Sequence, residues 1–500
     1  MRSLLLLPVL LLALVLPARA TWSVVVTDTA TGEVVVASAT CLQNFDLKVG
    51  LPVVRVGLGG AAAQSAIDSG ANNRQIIWNQ MANGKTPAEI LAILAANDFW
   101  HQSRQYGIVT FTDPPVKFTG NQAGGAKQAV VGKLGTIRYA IQGNVLTAKS
   151  VIFAAETALR NTPGDLGQRV MAAMEAARAL GGDGRCSCSP TAPTSCGAPP
   201  PAFTKTAHIG FIVIARHGDV EGVCNGPLGC ANGSYYLALN VVGDAAALDP
   251  VLQLQADFAT WRAGLAGRPD HVLSEVTSDA GSLPADGLAT TTVTVALVDV
   301  DGVPLTTGGA ALSVQTTGLT TIGAVVDNGD GTYDLPVTAG TVPGDEVLTI
   351  TADDGISAVQ LYPELQVRID PPLKLHAGED EVAAGDAVDV DFTIDLGAAA
   401  AGQPYLLLGS FSGTQPGVPL SGGTLPLAPD ALLDFTLLNP GPPTLPGSFG
   451  LLDGSGRASA ALAAPAGALL PFVGLQSHWA ALSLVAPESI SNAVALDVVP

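Results

Sequence analysis

Apolar and polar positions divide the chain into parts of different character. Residues 22–27 (WSVVVT) and 33–38 (EVVVAS) are β-rich runs joined by "DTATG". In that turn Asp28 can bond its own backbone and Gly32 can take positive φ. A third strand is expected at 52–57 (PVVRVG). The small-residue run "LGGAAAQSAIDSG" that follows suits a helix packing closely on a sheet. Helices are expected at 72–83 and 87–97. The second carries a cap, an N1 proline and an N3 glutamate in Thr86-Pro87-Ala88-Glu89, with Ile90, Ile93 and Leu94 at helical spacing. Strands resume at 106–111 and 136–142, helices at 147–160 and 165–181, strands at 208–215 and 235–242, and a helix at 248–264. This order predicts a layered α+β domain with helices over antiparallel sheet.

From about residue 270 helical periodicity stops and turn signals recur at the spacing of β-sandwiches. "TTTVTVALVDVDG" alternates cleanly, and "DNGDGTYDLPV" reads as a hairpin turn entering a strand. Its Asp327-Asn328-Gly329-Asp330-Gly331 brushes a calcium-loop pattern but lacks the closing glutamate and flanking helices. Residues 371–500 predict a further sandwich, with strands near 388–394, 404–410, 431–438, 456–462 and 479–485. The expected division is 1–20, 21–269, 270–370 and 371–500.

The front of the chain changes the picture. Arg2, an apolar run from Leu4 to Leu16, and small residues at Ala18 and Ala20 predict a secretory signal cut after Ala20. The run is shorter than the roughly 20 residues that span a bilayer. No later stretch is long and apolar enough either, so the protein is expected to be secreted, periplasmic or at the cell surface, and not membrane-spanning. Six cysteines (Cys41, Cys186, Cys188, Cys196, Cys224 and Cys230) then predict disulfides, with Cys41 stapled to the insert at 186–230. Zinc competes with that reading, but "CSC" is not a CxxC knuckle and no HxxxH accompanies it.

Charged residues make up 13% of the chain, and the formal net charge is −20. Residues 21–268 hold 18 Lys and Arg against 16 Asp and Glu, whereas residues 269–500 hold three against 27. Nucleic acid and anionic membrane surfaces are therefore excluded as partners of the second half. The six histidines form no motif. No GxSxG, Walker A, dinucleotide fingerprint or HExxH is present, so no cofactor and no metal is expected.

The candidate chemistry begins at Thr21. Cleavage after Ala20 leaves a threonine whose α-amine, with a pKa of about 7.7–8.0, is partly neutral near physiological pH. Base and hydroxyl then share one residue, the N-terminal threonine route to an activated nucleophile.

The blocks "TWSVVVTDTATGEVVVASAT", "LPVVRVGLGGAAAQ", "FTGNQAGG", "YAIQGNVL", "NTPGDLGQRVMAAMEAARALGGDGR" and "HIGFIVIARHGD" occur in an order that resembles the DUF1028 family. That family of unknown function is grouped with the N-terminal nucleophile (Ntn) hydrolases. The resemblance covers residues 21 to about 270 and implies a four-layer αββα sandwich. The cysteine insert at 186–230 departs from the family pattern. The resemblance nominates Ser38 as a hydrogen-bond partner of the α-amine, a strand-end turn residue being its alternative. Arg55 would depress the amine pKa or hold an anionic substrate, a structural ion pair being its alternative. Gln64 and Asn144 are nominated as oxyanion donors, with structural capping the alternative for each. Asp183 would pair with Arg55 or orient the amine, or else serve a plain loop turn. Proteasome-type relatives also use a lysine, for which Lys48 is the nearest candidate. The segment with "LPADGLATTTVTVALVDVDGVPL" resembles the Ig-like modules of invasin and intimin type adhesins.

Two functions follow as expectations. One is a secreted amide hydrolase acting through Thr21 on a small-molecule, peptide or cell-wall amide. The other is a non-catalytic surface protein that uses the fold and the Ig-like modules for binding. The sequence does not set the oligomeric state.

Overall fold

The computed structural model describes residues 21–371 and 374–500. The leader expected at 1–20 lies outside the described residues.

The first 250 described residues build two stacked sheets. Their strands are β1 (Thr21–Asp28), β2 (Glu33–Thr40), β3 (Pro52–Arg55), β4 (Gly59–Ser65), β5 (Arg104–Thr110), β6 (Val116–Thr119), β7 (Gln128–Leu134), β8 (Ile137–Asn144), β9 (Ile209–Ala215) and β10 (Leu237–Val241). One sheet has the order β10-β9-β2-β1-β8-β7, the other β3-β4-β5-β6. The helices are α1 (Leu47–Gly50), α2 (Asn72–Ala82), α3 (Pro87–Asn97), α4 (Ser150–Asn161), α5 (Leu166–Ala179), α6 (Gly184–Ser187) and α7 (Pro250–Ala263).

Period-2 alternation sorts each strand's residues between layers. Trp22, Val24 and Val26 of β1 pack with Ile152, Val170 and Leu254 of α4, α5 and α7. Val25, Val34 and Val36 face the second sheet through Val54, Ala62 and Val109. Ala61, Tyr106 and Ile108 then pack on Ile77, Ile90 and Leu94 of α2 and α3. Helices, sheet, sheet and helices make the αββα sandwich that the family resemblance implied. The sheets approach closely at two glycines. A Cβ at Gly60 would lie 2.9 Å from Val34 Cγ1, and one at Gly107 would lie 2.9 Å from Ala140 Cβ.

Local chemistry explains the elements. Thr86 and Glu89 close a capping box on α3, and Asp165 and Gln168 close one on α5. The small-residue run 59–65 is itself strand β4, and its alanines let α2 lie close. Strands β6 and β7 have no counterpart in the sequence reading. Lys117, Gln128 and Lys133 interrupt their apolar runs, and both strands are half-exposed.

Residues 275–370 form two facing sheets, and residues 375–499 form a three-stranded and a five-stranded sheet with a short two-stranded ribbon. Their strands alternate buried and exposed residues, as in Thr290–Ala296 and Val388–Asp395. One expectation fails here. Ala431–Leu438 is a helix, not a strand, because Asp430 caps it by accepting the Leu433 amide at 2.9 Å. No helix among the described residues is long and apolar enough to cross a membrane.

The six cysteines pair as Cys41–Cys186, Cys188–Cys196 and Cys224–Cys230. The expected staple from Cys41 to the insert is present, and disulfides of this kind belong to oxidising compartments.

Ion pairs tie the αββα unit to the sandwich that follows. Buried Arg216 pairs with Glu33 at 2.8 Å and Asp270 at 3.6 Å, and its guanidinium lies 3.4 Å from the Tyr236 ring centroid. Arg268 binds Asp354 at 2.7 Å. His271 stacks on Tyr362 with ring centroids 5.7 Å apart and donates from Nδ1 to the Gln360 carbonyl. Burial, reinforced by Arg216, pushes the His271 imidazole down to about 4 against the opposing effect of Asp270. The folded state therefore keeps this ring neutral where the unfolded chain already takes up a proton. Stability contributed at pH 7 is lost between about 6.5 and 4, by up to about 3 kcal/mol. Urea unfolding at pH 7 and pH 4.5 should show this loss in the wild type, and His271→Asn should reduce it.

Candidate functional site

Thr21 is the first residue of β1, a strand flanked by β2 and β8 in the middle of the six-stranded sheet. It is fully buried, and its side chain lies on the face directed at the second sheet, with Ser23 and Val25. The register Trp22↔Ala39 of the first hairpin places Thr40 beside Thr21, and Thr21 Oγ1 donates to Thr40 Oγ1 at 3.4 Å. Across the other edge Thr21 pairs with Asn144.

A buried polar network surrounds this strand end. Gln64 Nε2 donates to the Thr21 carbonyl at 3.0 Å and to Gln105 Oε1 at 2.8 Å. Its Oε1 accepts the Ser23 hydroxyl at 2.6 Å. Gln105 Nε2 reaches the Gly143 carbonyl at 3.1 Å, and Asn144 Nδ2 reaches Ser65 Oγ at 3.2 Å. Above the strand, the fully buried Asp183 carboxylate accepts the Cys41 amide at 2.7 Å. It also pairs with Arg185, whose Nη2 lies 2.7 Å from Asp183 Oδ2 and 3.5 Å from Thr40 Oγ1. The Cys41–Cys186 disulfide joins the residue after Thr40 to the residue after Arg185, which locks this layer over Thr21. His208 stands against it, with Nε2 3.3 Å from Cys186 Sγ. Burial lowers the His208 pKa, and Lys205 adds to that effect.

The nominated residues separate into two groups. Gln64, Asn144 and Asp183 are gathered around Thr21. Arg55 is not. It pairs with Gly59 at the far end of β4, five residues from Gln64, or about 16 Å along a strand. There it binds Glu221 at 2.8 Å, donates to the Trp78 carbonyl at 2.9 Å and covers the Trp78 ring. The pairing of Asp183 with Arg55 is accordingly replaced by pairing with Arg185. Ser38 lies opposite Ser23, two residues from Thr21, and its hydroxyl donates to the Trp22 carbonyl at 2.7 Å. Strand register, not residue type, removes it from the α-nitrogen. Both amide hydrogens of Gln64 are directed at carbonyl oxygens already present, so this side chain anchors the N-terminal strand. Lys48 is turned to the Ala231 carbonyl, 3.5 Å from its Nζ.

Sequence reasoning missed Thr40, Gln105 and Arg185. Thr40 was within reach, since extending the hairpin pairing Asp28↔Glu33 back to residue 21 arrives at residue 40. Gln105 and Arg185 come from distant segments that only the sandwich and the disulfide bring in.

With this geometry established, comparison with known families places the N-terminal unit. Residues 21–192 match DUF1028, a family of unknown function. Residues 270–362 match invasin, domain 3. The DUF1028 match begins on Thr21, the first residue of β1. Among solved structures, the chain is similar to a DUF1028 protein of Silicibacter pomeroyi, with 17% identity over 48% of this chain and 88% of that one, at a TM-score of 0.35. It is also similar to the adhesin InvE of Yersinia pseudotuberculosis, with 17% identity over 45% of this chain and 59% of that one, at a TM-score of 0.20. A third similarity is to invasin, a bacterial integrin-binding protein, with 14% identity over 58% of this chain and 46% of that one, at a TM-score of 0.20. The search of curated proteins found no match.

The αββα unit depends on two devices at this site, and each can be removed. Gln64→Leu keeps the volume but strands the Ser23 hydroxyl and the Gln105 and Thr21 carbonyls, at about 1–3 kcal/mol for each group left without a bond. Replacing Cys41 and Cys186 by serine opens a long loop and should lower stability by about 2–5 kcal/mol. Denaturant unfolding of each variant measures both losses.

Proposed function

We propose that the DUF1028 unit is an N-terminal nucleophile amide hydrolase, armed by removal of residues 1–20. The observation that carries this reading is the buried polar network confined to the Thr21 end of the sandwich. An apolar filling would serve the fold there at lower desolvation cost, since buried polar groups need every partner satisfied. Strands elsewhere in the same interface use valine, alanine and isoleucine.

In this reading the freed α-amine of Thr21 takes the proton from Oγ1 as the oxygen attacks an amide carbonyl. A C–O bond forms, the C–N bond breaks, and the departing amine leaves with that proton. Water then hydrolyses the ester and restores Thr21. Thr40 aims the hydroxyl. Arg185 takes the part first assigned to Arg55, because a cation close to an amine favours its neutral form. Gln64 fixes the strand backbone, and Asn144 borders the space where an oxyanion would form. The substrate class is a small peptide or cell-wall amide, and export places the enzyme outside the cytoplasm. The match to invasin domain 3 supports a second role for residues 270–362, as a spacer that holds the DUF1028 unit away from a cell surface.

The mature protein should begin at Thr21 by mass spectrometry. A β-lactone probe, which acylates a hydroxyl without losing a leaving group, should add its full mass to the N-terminal peptide. Labelling should persist in Thr21→Ser and fall to background in Thr21→Ala. A mature chain that starts at another residue, or equal labelling of the alanine variant, ends the proposal.

A further inference from the structure

The C-terminal sandwich is built from sheets of unequal width. One has three strands, in the order Leu375–Ala377, Val388–Asp395 and Arg457–Ala464, and the other has five. The helix Ala431–Leu438 and the loop at 465–475 stand beside the edge strand Arg457–Ala464. Between them lies a cavity of about 460 Å³. It is walled by Phe411, Leu432, Phe435, Leu469 and Phe472, and floored by Trp479. Trp479 is 3% exposed and belongs to the hydrophobic core, so the space is a gap reaching into the sandwich and not a surface patch. Phe411 and Phe472 stack across it with centroids 5.5 Å apart. Of the lining residues, Phe435 is 47% exposed and marks the mouth.

The polar atoms at the floor are already matched. Trp479 Nε1 donates to Ser477 Oγ at 3.0 Å, and Ser477 Oγ donates to the Leu496 carbonyl at 3.2 Å. No ionisable side chain lines the space. Residues 371–500 carry two cations, Lys374 and Arg457, against 12 acidic residues. Lys374 donates to the Ile490 carbonyl, and Arg457 pairs with Asp395. An anionic head group would therefore meet repulsion and no counter-charge. A volume of this size falls within the range of about 300–1,000 Å³ typical of small-molecule sites.

We propose that this cavity binds an uncharged, lipid-like small molecule, whose hydrocarbon chain fills the gap between the two sheets and completes the core. The anionic amphiphile is excluded by charge, and a strongly polar ligand by a lining whose only polar side chains besides the Trp479 indole are Thr444 and Ser477. The site is independent of Thr21 chemistry.

Nile red, a neutral dye that brightens in apolar surroundings, tests this with the full mature chain. The dye should bind with a micromolar midpoint and be displaced by dodecanol. Dodecanoate, of equal chain length but charged at pH 7.5, should compete at least tenfold more weakly. Ala464→Trp, which fills the cavity from the edge strand, should weaken dye binding tenfold or more, and Phe472→Ala should weaken it by removing a wall. Near-UV circular dichroism shows which variants remain folded. Absence of dye binding in the wild type, equal competition by dodecanoate, or unchanged binding in the folded variants overturns the proposal. Co-sedimentation with phosphatidylcholine vesicles without displacement of the dye by dodecanol also overturns it, since that result describes a membrane-docking surface.

Discussion

The antiparallel pairing of β1 with β2 on one side and β8 on the other is the constraint on which the rest of the αββα unit depends. It holds the first strand in the middle of a sheet that is covered on both faces, so every residue of β1 is buried. Register then decides which side chains meet. Thr21 receives Thr40 and Asn144 as neighbours, Ser23 receives Ser38 and Gln142, and Trp22 is turned to the helices. A one-residue slip would send Thr21 to the helix layer and Trp22 into the polar network. The fold and the candidate site are thus secured by the same hydrogen bonds.

Around that strand the protein sets polar chemistry against an apolar background. Ser23, Gln64 and Gln105 form a linked set whose side-chain atoms are bonded to one another or to carbonyl oxygens. Such a set holds its members in one arrangement, because any displacement leaves a buried group without a partner. The Asp183–Arg185 pair closes the same end from a different segment, and the disulfide Cys41–Cys186 makes that closure covalent across 145 residues of sequence. The segment that follows Asp183 therefore contributes to the site, since it carries both Arg185 and the second cysteine.

The ion pairs at the junction with the second unit lie at the opposite end of β1, near Glu33 and Arg216. Folded units on either side are thereby joined without touching the Thr21 network. The C-terminal unit differs in kind. Its unequal sheets leave apolar volume that its own residues do not fill, whereas the αββα unit fills its layers down to glycines that admit no Cβ.

The sequence by itself determined the periodic parts. The β-rich runs 22–27 and 33–38, the alternation of 290–296, the capping box of α3 and the even count of cysteines are each legible without a distant partner. The helix at 431–438 was readable in principle from Asp430, but its leucines and phenylalanine equally fit a strand. Strands β6 and β7 were hidden because their charged residues lie on exposed positions that only the sheet edge explains. Site residues followed the same division. Thr21 was nominated from the cleavage expected after Ala20, and Thr40 was implied by hairpin register. That Arg55 turns to Glu221, and that Arg185 takes the place beside Thr40, depended on which sheet edges and which cysteines meet. Those pairings join segments more than a hundred residues apart, and no local pattern encodes them. Only the packed layers and the disulfide decide them.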